Sequence, residues 1–115
     1  MTSFQKSPPE LVERFETFTA QLEGVERRRM FGYPCLFVSG NLATGLHAAT
    51  WMVRLPPEQL RELLSRPGAG PFEPMPGRAM KGYAVLPADV LADDGELGTW
   101  VGRSIAHARG LPPKR

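Results

Sequence analysis

Apolar residues recur at helical spacing near both ends of the chain. In the first such segment, a single stripe is formed by Leu11, Phe15, Phe18 and Leu22. Ser7, Pro8 and Glu10 occupy the N-cap, N1 and N3 positions of a capping box, so we expect a helix to begin there. Gly24 is expected to end this helix.

The last helix is predicted to begin at Asp93, because an aspartate is a favoured N-cap and Glu96 follows at N3. Its buried face is predicted to comprise Leu97, Trp100, Val101, Ile105 and Ala108. Gly110 is expected to stop the helix, and residues 110–115 are expected to form a loose tail.

A shorter helix is predicted between these two, beginning at Pro56–Glu58. Its buried stripe is expected to be Leu60, Leu63 and Leu64. Residues 67–77 contain four prolines and three glycines, a density that excludes a helix or a central strand. We therefore predict a long loop on the domain surface, with Phe72 and Met75 as its apolar anchors.

Five further segments are predicted to form strands. They are residues 25–30, 33–39, 42–48, 51–55 and 82–86. Gly40–Asn41 is a two-residue hairpin signal. In the strand after it, one face is expected to carry Leu42, Thr44, Leu46 and Ala48, and the other Ala43, Gly45 and His47.

The predicted order of elements is α-β-β-β-β-α-β-α. Strands joined by short turns pair in antiparallel fashion, and the helices then cover one face of the sheet. We therefore predict an α+β fold with a hairpin or meander sheet, formed by a single domain spanning residues 1–115.

Composition narrows the class of protein. The chain has 115 residues and is 42% hydrophobic, which is typical of a globular domain. No apolar run approaches the ~20 residues needed to cross a bilayer, and the N-terminus lacks the apolar core of a signal peptide. Cys35 is the one cysteine, so no internal disulfide can form. We expect a cytoplasmic protein with no membrane partner.

Charge is distributed unevenly along the chain. Residues 1–26 carry a formal charge of −3, residues 27–81 carry +5, and residues 82–115 balance at zero. A basic sheet and loop region suits an anionic partner, although the acidic and basic segments could equally offset one another across the folded surface.

Five basic residues are candidates for binding an anion or a nucleic acid: Arg27, Arg29, Arg54, Arg78 and Lys81. Strand residues alternate between faces, so Arg28 should point away from Arg27 and Arg29. The alternative for this strand is that its charges protect a sheet edge from aggregation. Arg54, Arg78 and Lys81 would converge if the proline-rich loop folds over the hairpin. The alternative there is that Glu73 or a main-chain carbonyl pairs with Arg54.

No set of residues indicates catalysis, a metal site or a cofactor. His47, His107 and Cys35 lack the close spacing of metal ligands. Cys35 stands in an apolar strand, where a thiol usually behaves as a small hydrophobe. We therefore name no catalytic residue, no metal ligand and no cofactor.

Several short motifs occur in an order that resembles the N-terminal domain of the TfoX (Sxy) family of bacterial competence regulators. They are Arg29-Met30-Phe31-Gly32, Gly40-Asn41-Leu42-Ala43, Val53-Arg54-Leu55, Phe72-Glu73-Pro74-Met75, Gly77-Arg78-Ala79-Met80, Tyr83, Leu86-Pro87 and Trp100-Val101. The chain departs from the family at Tyr33–Pro34, where a second glycine is common. Full regulators of this type carry a second, helical domain, so we expect a stand-alone N-terminal domain here.

The resemblance implies a role in switching on competence genes together with a cyclic-AMP-dependent transcription factor. We therefore expect a non-enzymatic domain that acts through a protein partner in transcription or competence regulation. One alternative is direct binding of nucleic acid or a phosphate ligand by the basic hairpin region. A second is a small-molecule sensor or enzyme that uses the groove between the proline-rich loop and the hairpin. An exposed hairpin edge would also allow two copies to form a homodimer.

Overall fold

The computed structural model describes residues 6–114, and within them four helices and six strands. The helices are α1 Pro9–Thr19, α2 Pro57–Leu64, α3 Ala88–Leu91 and α4 Asp94–Arg109. The strands are β1 Glu26–Met30, β2 Tyr33–Val38, β3 Asn41–His47, β4 Thr50–Arg54, β5 Gly70–Pro71 and β6 Tyr83–Val85. This is the predicted α+β order, with the short elements β5 and α3 added.

All six strands form one antiparallel sheet in the order β1-β2-β3-β4-β6-β5. The sheet therefore has two edges, β1 and β5. The proline-rich segment supplies β5, a two-residue strand that pairs with β6 at the edge of the sheet. Pro71 is tolerated there because an edge strand does not need every backbone N–H.

Two tight turns join the first three strands. Phe31–Gly32 and Ser39–Gly40 both have positive φ at both residues, the combination that matches the twist of a hairpin. The prediction that Gly40–Asn41 is the turn was therefore wrong by one residue. Asn41 begins β3 and pairs with Val38.

A bulge in β3 changes the predicted alternation of its side chains. Leu36 pairs with Thr44 but the next residue of β2, Phe37, pairs with Leu42, so Ala43 is an extra residue in β3. Leu42 consequently packs on the same side of the sheet as Cys35 rather than beside Leu46, which corrects the prediction for this strand.

The main core lies between the sheet and the helices, as predicted. Trp51 is fully buried near its centre, with the Phe15 ring of α1 at a centroid distance of 4.9 Å. The Trp51 Nε1–H donates to Thr44 Oγ1 at 2.8 Å. On α4, the buried Ser104 hydroxyl donates to the Ala43 carbonyl at the bulge (2.6 Å). Helix α4 is thereby hydrogen bonded to the sheet as well as packed against it.

The ends of α1 differ from the prediction. The N-cap residue is Pro8 and no side chain caps the helix, since the Ser7 hydroxyl donates instead to the Ala48 carbonyl at 2.6 Å. The helix ends at Thr19, ahead of Gly24, which has a φ of 72° outside the helix. A tertiary hydrogen bond has replaced the expected local one.

Helix α4 begins as predicted. The Asp93 carboxylate accepts hydrogen bonds from Gly95 N at 2.8 Å and Glu96 N at 3.1 Å. All five side chains predicted for its buried face are buried. In α2, however, only Leu60 and Leu63 contribute to the core, because Leu64 is 39% exposed.

The second face of the sheet carries a smaller apolar cluster. It comprises Cys35, Leu42, Met52, Phe72 and Tyr83. The predicted anchoring of the proline-rich loop is confirmed for Phe72, which is 1% exposed, and wrong for Met75, which is 56% exposed. The loop is thus held on this face by one aromatic ring.

The segment after α4, expected to be loose, makes two hydrogen bonds to the β2–β3 turn region. The Lys114 N–H donates to the Ser39 carbonyl at 2.8 Å, and Asn41 Nδ2 donates to the Pro112 carbonyl at 3.0 Å. None of the helices in residues 6–114 combines the length and apolar character needed to cross a membrane.

Candidate functional site

The five candidate cations occupy three separate places on the molecule. Arg27 and Arg29 lie on β1, Arg54 and Lys81 share a cavity at the ends of β4 and β6, and Arg78 lies in the proline-rich loop. No single cavity is lined by all five of them. Binding of an anion by these residues stays a prediction.

Arg27 connects β1 to the end of α1. Its guanidinium donates to Thr19 Oγ1 at 3.1 Å and also to the Thr19 carbonyl, and it lies 3.8 Å from a Glu16 carboxylate oxygen. These contacts use Arg27 within the fold. Glu16 also lines the cavity of about 230 Å³ beside Arg27 and Arg29, and its negative charge opposes an anion there.

Arg28 and Arg29 extend from opposite sides of β1, as the alternation predicts. Arg28 lies over the Phe37 ring at 5.0 Å and pairs with Glu26 at 2.8 Å. Arg29 donates to the Gly32 carbonyl at 3.0 Å and so closes the β1–β2 turn. Both side chains are exposed and remain reachable by a partner.

Arg54, Lys81 and His107 line one cavity of about 410 Å³, called here the Arg54 cavity. Its other walls are Leu55, Pro57, Leu60 and Gly82. Arg78, expected to converge with Arg54 and Lys81, does not line this cavity, because residues 75–78 close a turn of their own (Arg78 N to Met75 O, 2.9 Å).

Arg54 packs against an aromatic ring. Its guanidinium carbon lies 5.5 Å from the centroid of Tyr83, whose hydroxyl donates to the Leu42 carbonyl at 3.1 Å. Burial raises the pKa of Tyr83, so the phenol stays protonated at neutral pH. Glu73, proposed from the sequence as a partner for Arg54, instead lines a groove near His47.

His107 also lines the Arg54 cavity, a placement that was not predicted from the sequence. Burial and the nearby positive charge of Arg54 lower the pKa of His107, in that order of importance. In the sequence it is one polar residue near a helix end, where its charge suits the helix dipole. Its neighbours come from β4 and from the loop before β6, so only tertiary structure could reveal the grouping.

The Cys35 thiol is enclosed by its neighbours. It is 1% exposed and lies 3.6 Å from the Tyr33 carbonyl oxygen. Burial raises the pKa of Cys35 to about 11, so very little thiolate exists at neutral pH. No cluster of three or more metal-ligating side chains occurs among residues 6–114.

Three aromatic rings surround His47 on the second face of the sheet. The centroid of its ring is 5.0 Å from Tyr33, 5.6 Å from Phe72 and 6.0 Å from Phe31. Burial lowers the pKa of His47. The ring also borders a groove of about 480 Å³ between the proline-rich loop and the β3–β4 hairpin, the groove considered from the sequence for a sensor or an enzyme.

Residues 17–108 match the family model described as the TfoX N-terminal domain. The chain belongs to the TfoX N-terminal domain family. The match spans the sheet, the Arg54 cavity, the groove beside His47 and nearly all of α4, so these surfaces are part of the family domain. No curated protein and no solved structure was found to match the chain.

In this TfoX N-terminal domain, the departure at Tyr33–Pro34 falls at the start of β2 rather than inside the turn. Tyr33 pairs with Met30, and the register between β2 and β3 begins one residue after Pro34, at Cys35. Pro34 lacks an N–H to donate, so it marks the point where that ladder ends.

Proposed function

We propose that this TfoX N-terminal domain regulates transcription, including competence genes, by binding a protein partner, and that it catalyses no reaction. The family match over residues 17–108 carries the proposal, since membership supports a regulatory domain. The buried Cys35 thiol, with its pKa raised to about 11, supports the non-catalytic part because a nucleophile needs an accessible thiolate.

The outer side of β1, called here the β1 edge, is suited to receive an extended segment of a partner. Met30 and Tyr33 flank a two-residue turn and therefore form a hydrogen-bonded pair. Pairs alternate along the ladder, so the backbone groups of Arg28 face β2 and those of Arg27 and Arg29 face outward. A partner strand could hydrogen bond to them by β-augmentation.

Charge favours an acidic partner at the β1 edge over a second copy of the chain. Antiparallel self-pairing centred on Arg28 would place Arg27 of one copy opposite Arg29 of the other. Like charges directly opposite each other destabilise strand pairing. An acidic segment would instead meet the exposed guanidiniums of Arg28 and Arg29. Homodimer formation stays a prediction.

Phe31 adds an apolar contact at the tip of this edge. Its side chain is 53% exposed, and its φ of 55° lies in the left-handed region that disfavours a bulky residue. Asparagine or glycine suits this turn position better. Within the fold the Phe31 ring meets the edge of His47 at 6.0 Å, and the larger part of the side chain stays exposed, where a partner can cover it.

The experiment compares two substitutions that have the same effect on turn geometry. Phe31→Asn removes the exposed ring and creates an Asn-Gly turn, and Ser39→Asn creates the same turn sequence in the next hairpin. The tagged full chain and each variant are expressed in the host that encodes the chain, crosslinked in cells, and the captured proteins are quantified by mass spectrometry.

We expect wild type and Ser39→Asn to capture the same transcription-related protein in equal amounts. Phe31→Asn should capture at least about tenfold less of it, as expected for the loss of an interface hot spot. Transcripts that change when the chain is overproduced should respond in the same order. Capture of no transcription-related protein, or equal capture by Phe31→Asn and Ser39→Asn, would contradict the proposal.

A further inference from the structure

Arg54 differs from the other half-buried arginines among residues 6–114. Those three each face a carboxylate: Arg14 with Asp94 at 2.7 Å, Arg66 with Glu96 at 2.9 Å and Arg103 with Glu62 at 3.2 Å. Within the same residues Arg54 is paired with no carboxylate, and its side chain meets the Tyr83 ring instead. A partly desolvated cation without a counter-charge is a place where an anion gains more than it would in water.

Lys81 is a second cation in the Arg54 cavity. Lys81 from the loop before β6 and His107 from α4 reach the same space. Of the residues that the structure describes, no aspartate or glutamate lines it. Leu55 and Leu60 supply apolar walls, and the volume of about 410 Å³ falls in the range of sites for small organic ligands.

The guanidinium is held in position before any ligand arrives. Tyr83 lies beneath it at 5.5 Å, and the Tyr83 hydroxyl is itself fixed on the Leu42 carbonyl. The Arg54 main-chain N–H donates to Ser104 Oγ at 3.1 Å, which connects the end of β4 to α4. Groups held in this way lose little entropy on binding.

We propose that the Arg54 cavity binds a small organic anion. Its carboxylate or phosphate group meets Arg54 and Lys81, with His107 beside them, and its apolar body lies against Leu60. This ligand site goes beyond the proposed partner binding, which uses the β1 edge and Phe31.

The binding test uses the full chain and isothermal titration calorimetry at low ionic strength. Benzoate and phenyl phosphate are the organic probes, and their comparison separates a carboxylate site from a phosphate site. Inorganic phosphate is the third probe. At least one organic anion should bind, and inorganic phosphate should bind about tenfold more weakly or less because it has no apolar body to bury.

Three charge-matched variants locate the site. Arg54→Gln and Lys81→Gln each remove one cation from the cavity, and Arg78→Gln removes one from the same loop region outside it. Arg54→Gln should weaken binding about tenfold or more, because charge-assisted hydrogen bonds are lost. Lys81→Gln should weaken binding measurably, and Arg78→Gln should leave it unchanged.

Circular dichroism and the melting temperature test whether Arg54→Gln is folded. If it is not, the comparison is made with Lys81→Gln, because Lys81 is exposed. The proposal is overturned if neither organic anion binds at millimolar concentration, if inorganic phosphate binds as tightly as both, or if Arg78→Gln weakens binding as much as Lys81→Gln. Phe31→Asn should bind the anion normally, so failure of this site and failure of partner capture are distinguishable.

Discussion

Gly45 of β3 leaves the space that the Cys35 side chain occupies on the neighbouring strand. The two residues pair directly, and a Cβ atom at Gly45 would lie 2.5 Å from Cys35 Sγ and 3.0 Å from its Cβ. Such contacts require the strands to move apart in a fully packed region. We expect Gly45→Ala to lower the free energy of unfolding by about 1–3 kcal/mol, measured by urea denaturation.

The control for this prediction is a double-mutant cycle with Cys35→Ala. Removing Sγ relieves the shortest of the contacts, so the double variant should be less destabilised than the sum of the two single variants. Additive effects, or a Gly45→Ala variant as stable as wild type, would show that the strands accommodate the methyl group without strain.

The Cys35 thiol should be almost inert in the native protein. Its side chain is 1% exposed and its pKa is raised to about 11 by burial, so both access and thiolate concentration are low. We expect reaction with Ellman's reagent at pH 8 to be about a hundredfold slower or more in the native state than in urea. Comparable rates in the two conditions would mean that β2 opens readily.

The Phe31–Gly32 and Ser39–Gly40 turns use the same geometry with different residues, and neither has the favoured Asn-Gly sequence. Ser39 has a φ of 49° and precedes Gly40, whose φ is 82°. We expect Ser39→Asn to raise the free energy of unfolding by about 0.5–1 kcal/mol, because asparagine adopts positive φ at lower cost. Thermal denaturation would test this, and an unchanged or lower melting temperature would contradict it.

Helix and strand ends that depend on residues close together in the sequence were predictable from the sequence. Helix α4 begins at Asp93 as expected because its cap accepts from backbone groups two and three residues away. Ser7 carried an equally good cap signal, but its hydroxyl reaches the Ala48 carbonyl, a partner distant in sequence. The bulge at Ala43 was likewise missed, since it depends on the register between two strands.

The candidate site was predictable only in part, for the same reason. The sequence named Arg54 and Lys81, which the fold brings into one cavity, and grouped Arg78 with them, which it does not. It gave His107 no binding role, because no spacing in the sequence links a helix end to the end of β4. Among residues 6–114, Arg54 is paired with no carboxylate, and this too depends on tertiary structure.

At the scale of the whole molecule, the C-terminal segment joins α4 to the β2–β3 turn. Deleting residues 112–115 removes the Pro112 carbonyl that accepts from Asn41 and the Lys114 N–H that donates to Ser39. Asn41 is 7% exposed and would lose this acceptor. We expect the free energy of unfolding to fall by about 1–3 kcal/mol, measured by urea denaturation.

A shorter deletion provides the control. Removing Arg115 alone keeps both hydrogen bonds and should leave stability unchanged. If the longer deletion is as stable as wild type, the segment contributes nothing to the fold.

Both histidines make the stability of the domain sensitive to mild acid. Burial lowers the pKa values of His47 and His107 from 6.5, so below pH 6.5 the unfolded chain takes up protons that the folded chain resists. The unfolded state then binds more protons, and stability falls as pH falls through this window. The melting temperature should drop between pH 7.5 and 5.5, and less so in a His47→Gln/His107→Gln variant. Equal drops in the two proteins would exclude the histidines as the cause.

The two borders of the sheet have unequal capacity for growth. β1 offers five residues, whereas β5 offers two, and Pro71 there has no N–H to share. A strand recruited at β1 therefore has no counterpart at the opposite border through which a further molecule could be added. Growth of this sheet by strand addition is therefore directed to the β1 border.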